Sequence, residues 1–467
     1  MTPSLHQACE AFKESYRRAL RERPEDIRTV DELDEMIHEA RALMGAAAMR
    51  VSVRAAWEAV DFVCDCGGRG VVERRPGAEV RSMQCTDSMQ GVTLRCVQCG
   101  RVWRPVHERL GIEGQHHTTV LFERLSSDFL LDKGSPSAVR RLREHHGIEV
   151  GRTTVLQHGE QRGAEACEFI GRKLAEALDR SEACRGQPLR VAEVLVQMDS
   201  SSGKTVSKLV RPGVDEDATV ERTPVRGLVK ARRPVEGKQV KLLCAQAKGE
   251  ASWAYQAYVG EFDEAVVPLQ GLAATRGWQD GTLAVMTSDG EPSIQEVGHG
   301  AFDPNFRFIL DHPHAMTHLS DVPLHAPALL PLPKEEWIKY GTARLHQGEA
   351  LKLVDEIREM ANQLPEGVDR TKVENVALYF EKRASATHYD AFKQHDWPIA
   401  SGNVEGGHRT FIHPVTKRGA GWLVPNLNGL VALACVRQNE WGDDFWAFVK
   451  SRRQQRRESA RAAKKAA

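Results

Sequence analysis

Val194-Leu195-Val196-Gln197-Met198-Asp199 and Leu283-Ala284-Val285-Met286-Thr287-Ser288-Asp289 are two apolar runs of strand length, each closed by an aspartate. Short apolar runs bounded by turn formers read as buried strands. Ligands of an α/β sheet gather where its strands end. A third acidic residue, Glu405, follows in the glycine-rich segment Ser401-Gly402-Asn403-Val404-Glu405-Gly406-Gly407-His408-Arg409. Taken alone, a strand-end aspartate is most often a turn former or a helix N-cap. The three gain weight from the order in which the surrounding elements arrive.

Working outward, residues 189–199 predict a first strand, 240–247 and 253–262 two more separated by a Lys-Gly turn, 283–288 a fourth and 306–310 a fifth, with a helix at 263–276. Residues 203–237 are polar, carry Pro212, Pro224 and Pro234, and read as an excursion. Residues 334–395 are charged and of helical period, an insertion before Glu405; a helix through 430–437 closes the series. Sequential strands tend to be neighbours, so the first three are expected to form a meander. Three adjacent strands, a helix, two further strands and a helix is the RNase H-like order. The expected fold class is therefore α/β: an RNase H-like catalytic core over 188–449, with a helical insertion at about 320–397. In that core Asp199, Asp289 and Glu405 would converge on two divalent cations. Hard cations such as Mg²⁺ prefer carboxylate oxygens, and a pair of them suits phosphodiester chemistry on nucleic acid. Asp311, also at a strand end, is the alternative to Asp289. Asp311, His314 and His318 fall on one helix face at i, i+3 and i+7, either standing behind the metals or contacting DNA, or else as an N-cap with two half-buried histidines.

The chain has 467 residues with Lys+Arg and Asp+Glu at 64 each, so net charge advertises no polyanion partner. The asymmetry lies at the end: residues 450–467 carry eight Lys/Arg against Glu458 alone, a basic tail that reads as a nucleic-acid arm or a solvated end. No run approaches the ~18 apolar residues of a membrane span, and residues 1–10 lack a signal-peptide core. The expectation is a cytoplasmic, nucleoid-associated protein whose cysteines are reduced, so that clustered ones suggest metal.

Residues 1–60 read as solvated helices, with Leu33, Met36, Ile37, Ala40, Leu43 and Met44 at helical spacing. Residues 61–110 turn to Cys, Gly, Val and Arg, as in short hairpins. There Cys96-Val97-Gln98-Cys99-Gly100 has the form of a zinc knuckle, and Cys64 and Cys66 would complete a Cys₄ set, with Cys85 as competitor. The expected module is a structural zinc ribbon; the alternative is a decayed ribbon that keeps its hairpins without metal. Residues 111–187 return to helical period. Within them 137–158 fits a helix-turn-helix about Gly147, with Arg140, Arg141, Arg143 and Arg152 placed to contact phosphates. An ordinary helical hairpin fits the same pattern.

These segments together resemble the bacterial insertion-sequence transposases of the ISKra group, DDE enzymes related to the Mutator-like superfamily. The resemblance runs from about residue 60 to 446. It rests on Cys64-Asp-Cys66-Gly-Gly, Arg95-Cys96-Val-Gln-Cys99-Gly-Arg, Arg104-Pro-Val-His-Glu-Arg-Leu110, the stretch from Ser135-Pro-Ser-Ala-Val-Arg-Arg-Leu to Val155, Met198-Asp199, Thr287-Ser-Asp289-Gly, Ile309-Leu-Asp311-His-Pro-His314, Ser401-Gly-Asn-Val-Glu405 and Lys417-Arg-Gly-Ala-Gly-Trp422. It departs in the Cys-x-Cys spacing of the first pair and in the 203–237 excursion. The resemblance implies cleavage at element ends and strand transfer into target DNA. It also implies Asp199, Asp289 and Glu405 as the Mg²⁺- or Mn²⁺-binding triad. Transposition joins two ends, so a homo-oligomer on double-stranded DNA is expected. Arg409, Lys417 and Arg418, by charge and proximity to Glu405, are expected to steady phosphates. Two rivals remain: a non-catalytic DNA-binding protein, decayed or domesticated, and a nuclease that cleaves without strand transfer.

Overall fold

The computed structural model describes residues 29–112, 116–206, 222–225, 228–231, 235–417 and 421–466, together with isolated helical residues before 29. It divides into two compact units, Met1–Leu125 with Val139–Gly151, and Ser126–Ala138 with Arg152–Ala467.

In the first unit, Val30–Glu58 is one 29-residue helix; the first half of the helical pair expected over 1–60 lies largely outside the described residues. The helix sets Met49, Val53 and Trp57 against a small core of Val80, Val92, Leu94, Trp103 and Val106, with Cys64 and Cys96. Two three-stranded sheets build that core, Gly70–Arg74 beside Thr93–Cys96 beside Val102–Trp103, and Thr86–Gln90 beside Gly77–Arg81 beside His116–Thr118.

After Ser126–Ala138, the second unit continues with helix α1 (Arg152–Ala183), which leads into strands β1 (Glu193–Val206), β2 (Val235–Ala247) and β3 (Ala254–Val259). Next come α2 (Val266–Thr275), β4 (Leu283–Ser288), α3 (Pro292–Phe302), β5 (Phe306–Leu310) and α4 (His312–His325). Four helices follow: α5 (Lys334–His346), α6 (Ala350–Gln363), α7 (Val368–Glu381) and α8 (Tyr389–Gln394). The chain closes with α9 (Gly402–Gly407), α10 (Val424–Gln438) and α11 (Gly442–Ala466). The sheet order is β3-β2-β1-β4-β5. The first three strands pair antiparallel, while β4 runs parallel to both β1 and β5. The central strands are buried on both faces from Val194 to Met198 and from Ala284 to Ser288, which is why they read as unbroken apolar runs without alternation.

Helices α4 to α8 share one core with the β4–β5 face. Trp337, Leu345, Ile357, Val376, Phe380 and Tyr389 pack with Ile309, Leu310, Leu319 and Val285. The opposite sheet edge is covered: Asn428 of α10 accepts the Val259 amide at 2.9 Å, and Asn439 bonds both the amide and the carbonyl of Tyr255, at 2.6 and 2.7 Å. Those side chains satisfy the backbone groups an open edge strand would leave for aggregation.

Two sequence expectations are corrected, and the basic tail gains a conformation. Asp199 does not end the first strand, because β1 continues to Val206, paired residue by residue with Val235–Gln239 of β2. That arm is Ser-, Gly- and Lys-rich and partly exposed, so hydrophobic patterning is silent about it. The excursion between the two strands is correspondingly shorter, and of it only the hairpin Arg222–Val225 with Leu228–Ala231 is described. The 111–187 region is not one module. Its 32-residue helix α1 belongs to the second unit, with Val155, Gly159, Ala166, Ile170, Leu174 and Ala177 buried along it. The basic tail is the second half of α11, anchored by buried Phe445, Trp446 and Val449. Two of its arginines, Arg452 and Arg456, pair with Glu168 and Glu165 of α1.

Candidate active site

The strand register builds the site. Leu283 lies opposite Glu193 and Thr287 opposite Gln197, while on the other side of β4 Ser288 lies opposite Leu310. Carried one or two residues further, these registers line up Asp199, within β1, with Asp289 and Asp311, just past the ends of the neighbouring β4 and β5. The alignment is pinned by Ser288, whose hydroxyl donates to the Met198 carbonyl at 2.9 Å and whose carbonyl accepts the Asp311 amide at 2.7 Å. Strands stand ~4.8 Å apart, so Asp289 is one strand from Asp199, and Asp311 is two.

Glu405 reaches the same place from α9 because buried polar side chains of β1 and β4 hold the chain that leads to it. Gln197, fully buried, donates to the Ala400 carbonyl at 3.1 Å and accepts the Val404 amide at 3.1 Å. Thr287 donates to the Pro398 carbonyl at 2.7 Å. Each side chain precedes its aspartate by two residues, and each satisfies backbone groups that would otherwise be buried unpaired.

The electrostatics follow from this crowding. Burial pushes the Asp199 carboxyl up to about 6; the Ser200 amide, 2.6 Å from Oδ1, opposes the shift, and the Asp289 and Glu405 carboxylates reinforce it. Among the described residues neither Asp199 nor Asp289 has a Lys or Arg ion-pair partner; Glu405 has Arg409 at 3.2 Å. The nearest cationic type to Asp199 is His408, its Nε2 3.7 Å from Oδ2 and its Nδ1 hydrogen-bonded to Ser201 Oγ at 3.0 Å. Burial holds His408 down to about 4, so at neutral pH it is uncharged. Carboxylates crowded about Asp199 without a Lys or Arg partner of its own are what a divalent cation relieves, and oxygen donors of this kind suit Mg²⁺ or Mn²⁺.

Asp311 is different. It is wholly buried. Oδ1 accepts the Ser401 amide at 2.6 Å and the Ser401 hydroxyl at 3.0 Å, and Oδ2 accepts the His314 amide at 2.9 Å and binds His314 Nδ1 at 2.7 Å. A carboxylate offers about four lone-pair sites, and here protein groups take all four. Asp311 is thus both the N-cap of α4 and a brace between α4 and the Glu405 segment. Of the two competing aspartates, Asp289 is the one next to Asp199 with an oxygen to spare.

Burial lowers the pKa of His314, but the Asp311 hydrogen bond and the Asp289 and Glu405 charges outweigh it and hold the imidazole above its usual range. Among the described residues, the carboxylate-bearing group whose ligand atoms all lie within 4.8 Å of one another and could hold a metal is Asp311, His314 and Glu405; Asp199 and Asp289 are not part of it. With Asp311 saturated, its open members are His314 and Glu405. His318 turns elsewhere, its ring 3.9 Å from that of Tyr379.

Of the basic residues singled out from sequence, Arg409 is exposed beside Glu405, while Lys417 donates to the Ser202 carbonyl at 2.9 Å; Arg418 lies outside the described residues. Arg140 is exposed, 3.8 Å from Glu144, and Arg143 and Arg152 are also exposed. Arg141 is half-buried. The first turn of α1 shows Arg152 and Thr153 to solvent, and burial begins at Val155.

In the first unit Cys64, Cys66, Cys96 and Cys99 come together with all sulfurs within 4.8 Å of one another. Cys64 to Cys99 measures 3.7 Å and Cys66 to Cys96 3.5 Å. Sulfurs of a tetrahedral zinc site with Zn–S ~2.3 Å stand about 3.8 Å apart. The amides of Cys99 and Gln98 point at Cys96 Sγ, at 3.5 and 3.4 Å, and the Cys99 amide above all holds that thiol down to about 6. A Cβ on Gly68 would lie 2.7 Å from the same sulfur, so the turn after Cys66 requires glycine. The Cys-x-Cys spacing therefore still delivers two ligands. Cys85 is absent from the group and sits in a turn bonded to Ser82.

No family model matches this chain, and no curated protein does. A solved structure, the Drosophila P element transposase strand transfer complex, is similar over 71% of this chain and 80% of its own at 10% identity, with a TM-score of 0.23. At that level the likeness supports neither a fold nor an activity. Among the described residues, no helix is long and apolar enough to cross a membrane.

Gln197, Ser401 and His408 are site residues that the acidic pattern alone did not single out. Gln197 was legible as a polar residue inside an otherwise apolar strand, and His408 as a histidine one turn beyond Glu405.

Proposed function

We propose that the chain is a divalent-metal-dependent DNA transposase of the DDE type, with an RNase H-like core. Asp199, Asp289 and Glu405 hold the cations in this reading. The observation that carries it is the parallel register of β1 with β4, which pairs Gln197 with Thr287 two residues before Asp199 and Asp289, with Glu405 tied to both strands through those two side chains. The order β3-β2-β1-β4-β5, antiparallel in its first three strands and parallel in its last, supports the core assignment.

When bound, Mg²⁺ or Mn²⁺ supplies activation of the attacking oxygen and stabilisation of the leaving one. The chain's own residues do the positioning. Asp199 offers oxygens from a rigid strand, Asp289 from the turn that follows one, and Glu405 from a helix whose approach is fixed by buried side-chain bonds. His408 stays neutral beside Asp199 and adds no competing charge. In this reading Arg409, exposed beside Glu405, contacts a DNA phosphate, and Arg140, Arg141, Arg143 and Arg152 are further phosphate contacts. The Cys₄ group, loaded with zinc, folds the N-terminal unit rather than reacting. Water attacks the phosphodiester at the element end, releasing a 3′-hydroxyl. That hydroxyl attacks a phosphodiester of target DNA, so one P–O bond forms for each one broken. Two chains act on the two ends.

The test combines protein, Mg²⁺, DNA carrying the flanking ends of the element, and a supercoiled target. Joined end–target products support transposition. Cleavage without joined product makes the protein a nuclease, and binding without either makes it a DNA-binding protein.

A further inference from the structure

Asp289 stands on a turn, not on a paired strand. β4 ends at Ser288, and Gly290 follows with φ at +88°. Oδ1 of Asp289 accepts the Glu291 amide at 3.0 Å and the Ser288 hydroxyl at 3.4 Å, and the direction of the carboxylate depends further on what fixes the two peptides of that turn. Both are fixed by the helical insertion. Tyr379, near the end of α7, donates its hydroxyl to the Asp289 carbonyl at 3.0 Å. Arg383, just beyond α7, donates Nε and one Nη to the Gly290 carbonyl at 2.9 and 2.5 Å, and its other Nη to the Tyr379 carbonyl at 3.0 Å. The guanidinium lies 4.3 Å from the centroid of the Tyr379 ring, which also meets the His318 ring at 3.9 Å. The fit is close: a Cβ on Gly290 would stand 2.6 Å from Arg383 Nε and 2.7 Å from Leu310.

We infer that the insertion sets the affinity of the metal site, with Tyr379 and Arg383 as positioning residues for Asp289. This rests on the reading of Asp289 as a metal ligand. Consecutive carbonyls on the ligand-bearing turn are gripped by one helix end, so a shift of α7 releases both at once. Metal occupancy then becomes sensitive to whatever moves the insertion. The chemistry requires the phenol oxygen and the forked guanidinium specifically: phenylalanine keeps the ring stack without the donor, and lysine keeps the charge without the fork.

The experiment measures Mn²⁺ binding to the purified full chain by titration calorimetry and by electron paramagnetic resonance of free Mn²⁺, alongside the affinity for end DNA in EDTA. Partners one step removed from a metal cost 10–100-fold in affinity when lost. Tyr379→Phe is expected to weaken Mn²⁺ binding about tenfold, at the lower end of that range, with DNA affinity unchanged. Arg383→Lys is expected to weaken it as well. Arg358→Ala, which breaks an exposed pair between α6 and Glu381 of α7, is expected to leave it unchanged. Tyr379→Phe removes one oxygen and keeps the test interpretable should the arginine variant misfold. Wild-type Mn²⁺ affinity in both Tyr379→Phe and Arg383→Lys overturns the inference alone. Absence of Mn²⁺ binding by the wild type overturns the metal-site reading and this inference with it.

Discussion

Asp199→Asn should make the metal-free protein more stable at neutral pH while depriving it of metal. The Asp199 carboxyl titrates near 6 instead of its usual 3.8, mainly through burial and then through Asp289 and Glu405. A folded-state pKa raised on an acid means that the fold prefers the protonated form. Stability is then full below about pH 4, falls as pH rises towards 6, and stays low above it. The shift of about two units corresponds to roughly 3 kcal/mol. Partial exposure and screening reduce this to about 1–2 kcal/mol. Asparagine keeps an oxygen for the Ser200 amide and removes the charge, so it recovers that amount, worth a few degrees in Tm. The assay is calorimetric melting in EDTA at pH 8 and at pH 4. The variant should melt higher at pH 8 and level with wild type at pH 4. Adding Mn²⁺ should raise Tm for wild type far more than for the variant. A variant that melts at or below the wild type at pH 8 in EDTA would refute the charge-crowding argument.

Asp311→Ala strips the Ser401 and His314 donors of their common acceptor in a closed interior. The expected loss is about 3–5 kcal/mol, measured by urea unfolding, and an undiminished midpoint would count against Asp311 as the brace of the Glu405 segment. The Cys₄ group predicts one zinc per chain by elemental analysis, released by chelator and lost in Cys96→Ser. Wild-type protein grown with zinc and found without it would mean the sulfurs cluster for packing alone.

The sequence was most informative where burial is two-sided. β4 is an apolar run buried on both faces whose end falls at Ser288, where the patterning sets it. It was least informative where backbone pairing acts without apolar side chains, as in the Ser200–Val206 arm of β1. α1 was legible only in part: its start at Arg152, after the turn at Gly147, falls where the patterning puts it, while its buried stripe runs on to Ser181, well past the 137–158 segment. In the site, the acidic residues were visible as residue types, but their arrangement was not. No local pattern says that β4 and β1 pair in the register that sets Asp289 beside Asp199. Nor does any say that the donors on Asp311 come from a serine 90 residues away. The Tyr379 and Arg383 contacts were illegible for the same cause, being long-range side chain-to-backbone bonds on helices that read only as charged and amphipathic.

The account stands or falls on metal-dependent cleavage of end DNA by wild type, Asp289→Asn and Glu405→Gln, compared at saturating Mg²⁺ with folding checked by melting. It predicts cleavage by the wild type that EDTA abolishes, and a loss in each variant of about a thousandfold or more, on the scale seen when acting groups are removed from other active sites. Wild-type rates in both folded variants would contradict it.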